Sequence, residues 1–211
     1  MQELAYLTVK GYGEREIVIQ KSRFIAQVKR AQSEEEAKDF IQEIKKKHWN
    51  ATHNCAAYVI SEGNGVQKAN DDGEPGGTAG IPMLEVLLKR DIRDTVVVVT
   101  RYFGGTKLGA GGLIRAYGRA AAVGVEAAVV VRRSLMRTMT AGFDYTWLGK
   151  IENELAGTHY TAKETRYTEK VEMDILVPFG EEDGFARWVT DLTSGQIEIM
   201  AGETGYVETS I

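Results

Sequence analysis

Three features of the sequence predict an α/β (α+β) protein of two domains. Strand-like and helix-like segments alternate along the whole chain. Val96-Val97-Val98-Val99 is an unbroken β-branched run, the pattern of a strand buried on both faces near the centre of a sheet. Beyond residue 134 the periodic segments fall in the order strand, helix, strand, strand, helix, strand. A length of 211 residues suits one or two domains.

Residues 4–9 and 16–20 read as strands joined across Lys10-Gly11-Tyr12-Gly13, and 23–29 continues the extended pattern with Phe24, Ala26 and Val28 alternating. A β-meander is expected to open the fold. Ser33 with Glu36 three residues on forms a capping box, and Ala37, Phe40, Ile41, Ile44 and His48 follow at helical spacing, which predicts an amphipathic helix over 33–49. Residues 54–61 are apolar enough for a central strand, whereas 62–77 is polar and rich in turn residues and reads as a long surface loop. A helix over 78–90 places Pro82 near its first turn and offers Leu84, Leu87 and Leu88 as the buried face. After the valine strand, a glycine-rich loop over 104–112 leads into a further helix at about 111–128.

In the last third, strands over 135–145, 160–166, 169–177 and 196–207 and helices over 147–157 and 181–193 give βαββαβ. That order is ferredoxin-like: a four-stranded antiparallel sheet with two helices on one face. The expected domains are therefore 1–132 and 134–211, joined near Val131-Arg132-Arg133.

The net charge of −4 conceals an asymmetry, because residues 1–133 carry 20 basic and 16 acidic side chains and 134–211 carry 6 and 14. An anionic ligand is expected on the first domain. One cysteine, Cys55, excludes an internal disulfide, and the chain has no Cys/His set at zinc spacing. There is neither a signal-like N-terminus nor a run of eighteen apolar residues, so a cytoplasmic protein without membrane partners is expected.

The segment from Val96 to Ala121 passes from strand through glycine loop to helix, which brings backbone N–H groups and a helix N-terminus to one place. No acidic residue occurs between Thr95 and Val125, whereas Arg101, Lys107, Arg115 and Arg119 all do. Phosphate suits such a loop. The spacing is neither a P-loop nor a dinucleotide fingerprint, and the plainer reading is a tight turn with close helix–strand packing. The candidate anion or nucleic-acid site comprises Lys21, Arg23, Thr78, Arg101, Tyr102, Gly104, Gly105, Lys107, Gly109, Gly111, Gly112 and Arg115, with Tyr102 and Phe103 available for stacking. A second loop carries Asp71, Asp72 and Glu74, which suit a hard cation or a general base on one reading and turn formation and helix capping on the other. Both loops are expected to border one cleft. His53 and Cys55 share a strand face and read as core residues, as does His48, while His159 stands alone at a turn. Trp49, Trp147 and Trp188 are expected as core anchors on helices. No catalytic residue, metal ligand set or cofactor is assigned.

Four motifs in order, Lys21-Ser22-Arg23-Phe24-Ile25-Ala26, Ala51-Thr52-His53-Asn54-Cys55-Ala56-Ala57-Tyr58, Asp71-Asp72-Gly73-Glu74-Pro75-Gly76-Gly77-Thr78-Ala79-Gly80 and Val99-Thr100-Arg101-Tyr102-Phe103-Gly104-Gly105-Thr106-Lys107-Leu108-Gly109, closely resemble the YigZ/IMPACT family. The resemblance spans the chain. It implies a first domain like domain four of elongation factor G and domain two of ribosomal protein S-five, a fold also used by GHMP small-molecule kinases, and a second domain like domain five of that factor. Eukaryotic members are translation regulators that bind a scaffold protein upstream of an initiation-factor kinase, without known catalysis. The expectation is a non-enzymatic, translation-linked binding protein contacting RNA or ribosome through its basic glycine-rich face. Two rivals stand beside it: a nucleotide- or phosphate-handling enzyme using the 104–112 loop with Asp71 and Asp72, and a regulator that contacts a protein partner in translation control and no nucleic acid.

Overall fold

The computed structural model describes residues 4–61, 63 and 65–211. Among these residues it shows a mixed α/β protein with two antiparallel sheets and five α-helices. The chain divides into two compact units, Tyr6–Arg132 with Ser210–Ile211, and Arg133–Thr209 with residues 4–5.

The N-terminal unit contains, in order, β1 (Ala5–Val9), β2 (Gly13–Ile19), β3 (Ser22–Arg30), α1 (Glu34–Lys47), β4 (His53–Ile60), β5 (Val66–Asn70), α2 (Gly80–Lys89), β6 (Thr95–Tyr102) and α3 (Gly109–Ala127). Its sheet runs β2-β3-β6-β4-β5, antiparallel throughout. The valine run lies on β6 at the centre, and period-two alternation sends its side chains to two cores. Val97 and Val99 join Phe24, Ala26, Cys55 and Ala57 beneath Met83 and Leu87 of α2 and Leu113 and Tyr117 of α3. Val96 and Val98 join Ala56, Tyr58 and Ile60 beneath Ala37, Phe40 and Ile44 of α1. Ser33 Oγ accepts from Glu36 N at 3.2 Å and the Glu36 carboxylate accepts from Gln32 N at 2.8 Å, so the first helix begins where its capping residues place it.

Several expectations are corrected here. No meander opens the fold, because β1 pairs with β7 (Val130–Phe143) and not with β2. Residues 66–70, within the stretch expected as a long surface loop, form β5, a short polar strand at the sheet edge. Leu88 is exposed while Leu87 is fully buried, since α2 turns only one side to the sheet. Trp49 anchors no core: it lies past the end of α1 and is 82% exposed.

The C-terminal unit continues from β7 through a 3-10 turn (Tyr145–Trp147), α4 (Leu148–Leu155), β8 (Thr161–Tyr167), β9 (Val171–Pro178), α5 (Glu182–Leu192) and β10 (Ile197–Ser210). The strand order β10-β7-β9-β8 of the βαββαβ chain is the ferredoxin-like order. Along β9 Val171, Met173, Ile175 and Val177 alternate inward against Ile151 and Leu155 of α4 and Phe185 and Val189 of α5. Trp147 and Trp188 pack at the margin of that core. His159 is not alone at its turn, for its Nε2 meets Glu181 Oε2 at 2.6 Å.

Candidate anion-binding cleft

The acidic loop after β5 and the glycine loop after β6 meet on the α2/α3 side of the N-terminal sheet. Between them is a cleft of about 370 Å³, lined by Glu74 and Pro75 from the first loop, Phe103, Lys107 and Leu108 from the second, Arg101 from β6, and Gly109, Ala110 and Leu113 of α3. Gly104 makes this approach close. A Cβ there would sit 2.0 Å from the Lys21 carbonyl carbon and 2.5 Å from Ser22 N, so only glycine lets the loop rest on the β2–β3 hairpin. In that hairpin Gln20 and Lys21 take positive φ (45° and 66°), the conformation of a tight two-residue connection. Ser22 Oγ accepts from Gly104 N at 3.2 Å and so ties the two together.

The acidic side chains are engaged by protein donors. Asp71 accepts from Gly77 N at 2.8 Å, Ala79 N at 3.0 Å and Gly80 N at 2.8 Å, and so caps α2, whose own N-cap, Ala79, has no capping side chain. Burial opposes ionisation of Asp71, but the three N–H bonds outweigh it and hold its pKa below the ordinary value. Asp72 pairs with Lys45 at 2.6 Å and accepts from Asn54 N at 2.7 Å. Glu74, whose side chain is 3% exposed, accepts from Arg101 Nη1 at 2.6 Å and from Tyr117 Oη at 2.8 Å. These bonds support the turn-and-cap reading of the loop.

Arg101 forms the cleft floor, where its guanidinium is buried and neutralised by Glu74. Phosphate contact through this residue, expected from an exposed cation, is therefore not supported by its placement: it is part of the floor, held by a buried ion pair. Thr78 is buried as well and donates its hydroxyl to the Pro75 carbonyl at 2.6 Å. Arg23 and Tyr102 are cross-strand partners on the α1 side of the sheet, away from the cleft. The Arg23 guanidinium lies over the Tyr102 ring and binds Glu16 with two bonds of 2.8 Å, and the Tyr102 hydroxyl meets His48 Nδ1 at 2.9 Å. Alternation along β3 and β6 separates these two residues from Phe24 and Arg101.

The cations that remain unpaired near the cleft are Lys107, which lines it, Lys21 in the hairpin under the glycine loop, and Arg115 in the early turns of α3. These three, and Arg119 further along α3, are exposed and form no ion pair with another described residue. The N-cap position of α3, Leu108, offers no side-chain hydrogen bond, and the first turn is Gly109-Ala110-Gly111-Gly112, which leaves its N–H groups open. Arg115 folds back over this turn, its Nη1 3.6 Å from where a Cβ of Gly111 would lie. Phe103 is half exposed beside the same loop.

Residues 20–125, which include every cleft residue named above, match the family described as the Impact N-terminal domain, and residues 142–196 match the Domain of unknown function (DUF1949). The IMPACT family member YvyE of Bacillus subtilis is 58% identical over 207 residues, covering 98% of this chain and 95% of that protein. The chain belongs to the IMPACT family. The family member YigZ of Escherichia coli is 32% identical over 187 residues, covering 88% and 92%. A solved structure titled as the crystal structure of a hypothetical protein is 29% identical, covers 96% of this chain and 99% of its own, and superposes with a TM-score of 0.61.

Within this IMPACT domain, sequence reasoning missed Tyr117, Ser22 and Lys45 as contributors. Tyr117 falls four residues after Leu113 on the apolar stripe of α3, where only its hydroxyl hints at a buried polar partner. His53 Nδ1 meets the Asp72 carbonyl at 2.8 Å and Cys55 Sγ donates to the Asp71 carbonyl at 2.9 Å, so this strand face braces the acidic loop. Burial pushes the Cys55 thiol up to about 12, well away from a reactive thiolate.

Proposed function

We propose that this protein is a non-enzymatic, translation-linked binding protein of the cytoplasm that contacts RNA or the ribosome through the basic rim of its cleft. The link to translation rests on the family resemblance and on what eukaryotic members of that family do. One observation carries the chemistry: Arg115 and Lys107 stand at the uncapped N-terminus of α3, where the helix dipole is already positive, and no acidic residue between Thr95 and Val125 offsets them. Two positive fields at one place are unfavourable until an anion arrives. Phe103, at the edge of the cleft, offers a face for a base beside the phosphate contacts. A phosphate-handling enzyme would draw on Asp71 and Asp72, and their oxygens are already committed to backbone N–H groups and Lys45.

The test is a titration of single-stranded RNA at several salt concentrations with the wild type and with a Lys21→Ala, Lys107→Ala, Arg115→Ala variant. Three lost phosphate contacts should lower the slope of log K against log salt by roughly 2–3 units, at about 0.7–0.9 per contact. Each substitution should change stability by no more than about 0.5 kcal/mol, because all three side chains are exposed. An unchanged slope in a normally folded variant would remove the basic rim as a nucleic-acid site.

A further inference from the structure

On the opposite side of the same sheet, α1 covers β6 and β4 but leaves β5 beyond its reach. The result is a trough of about 250 Å³. One wall is the row Lys38, Ile41, Gln42 and Lys45, residues spaced along one side of α1. The floor and far wall come from Asn54, Ala56 and Tyr58 of β4 and from Lys68 and Asn70 of β5, in the register Ala56↔Asn70 and Tyr58↔Lys68. Ala69 also lines the trough, and since its side chain alternates to the other face, it does so through its main chain.

We propose that this trough is a docking site for an extended acidic segment of a protein partner, which pairs along β5 and sets carboxylates against Lys38, Lys45 and Lys68. This goes beyond the RNA reading and does not depend on it. Two observations choose the occupant. β5 ends the sheet order β2-β3-β6-β4-β5, so its outer N–H and C=O groups have no strand partner, and residues 67–70 are exposed. An open edge of this kind is completed by an extended polypeptide, whose backbone matches the ladder, and not by a nucleic-acid strand. The charges are complementary to acid. Lys38 and Lys45 each have one carboxylate partner, Glu34 at 3.1 Å and Asp72 at 2.6 Å, and both of those carboxylates are shared with other donors. Lys68 forms no ion pair with a described residue.

The experiment uses the full chain and a fluorescein-labelled peptide of alternating glutamate and valine, about eight residues long, enough to span a strand of ordinary length. Fluorescence anisotropy should show binding that weakens with added salt. Amide hydrogen exchange should slow at residues 66–70. In the Lys38→Glu, Lys68→Glu variant affinity should fall about tenfold or more, since two exposed attractions become repulsions. If that variant does not melt like the wild type, the milder Lys38→Gln, Lys68→Gln pair is read in its place, with a loss of about threefold or more expected. The proposal is overturned if the folded wild type fails to bind the peptide, if the glutamine or glutamate pair leaves affinity unchanged, or if exchange at 66–70 is unaffected. It is also overturned if a single-stranded RNA, and not the peptide, is the ligand whose binding depends on Lys38 and Lys68.

Discussion

Asp71 performs for α2 what a serine or asparagine at the N-cap performs elsewhere, reaching from outside the helix to three backbone N–H groups. Asp71→Asn keeps one acceptor oxygen but loses the charge, and should cost about 1–2 kcal/mol by denaturant unfolding near neutral pH. Its pKa in the fold lies below the ordinary 3.8, because the N–H bonds overcome the effect of burial. The stabilisation from its ionised form is therefore complete above the unfolded-state value and is lost as pH falls through the lowered folded-state value. Wild type and variant should converge in stability over that acid window. A gap that persists unchanged at the lowest pH would show that charge is not what Asp71 contributes.

At the scale of elements, the glycine loop and the β2–β3 hairpin act as one piece, since Gly104 brings its backbone against Lys21 and Ser22. Gly104→Ala would place a methyl group on backbone atoms that have no rotamer to yield. It should destabilise the N-terminal unit by about 1–3 kcal/mol, as other overpacking changes do. Hydrogen exchange at Gly104 N should speed up together, as its bond to Ser22 Oγ is broken. Stability and exchange equal to the wild type would mean that the two elements can separate without cost. The elements also explain how the candidate site was divided. Arg101 and Tyr102 are neighbours in sequence but face opposite sides of β6, so one sequence motif serves two different faces.

At the scale of the whole molecule, the two N-terminal cores and the C-terminal core share none of the described residues. We expect the units Tyr6–Arg132 and Arg133–Thr209 to melt as separable transitions. Ile175→Val removes one methylene from a fully buried position of the C-terminal core. It should cost about 1 kcal/mol and lower that unit's midpoint by roughly 4–8 °C. Calorimetry should show the other transition unmoved. A single transition that shifts as one would show that the cores unfold together.

The features legible in the amino-acid sequence were those whose cause is local. Ser33 and Glu36 mark the start of α1 because the cap is formed within one turn, the valine run marks β6 because both of its faces are apolar, and βαββαβ is visible because each C-terminal segment keeps its own period. The open, acid-free start of α3 was legible for the same reason. The tertiary structure alone decided the rest. β5, Val66–Asn70, is a short polar edge strand whose identity comes from hydrogen bonds to β4 and not from hydrophobic alternation. The partner of β1 lies more than a hundred residues away in β7, and no local pattern specifies such a pairing. Whether Arg101 meets a phosphate or a carboxylate depended on Glu74, 27 residues earlier, being brought beneath the same helix. A charged side chain reads the same in sequence whether solvated or buried, and only the neighbours supplied by folding separate a cation that is neutralised from one that is free to bind.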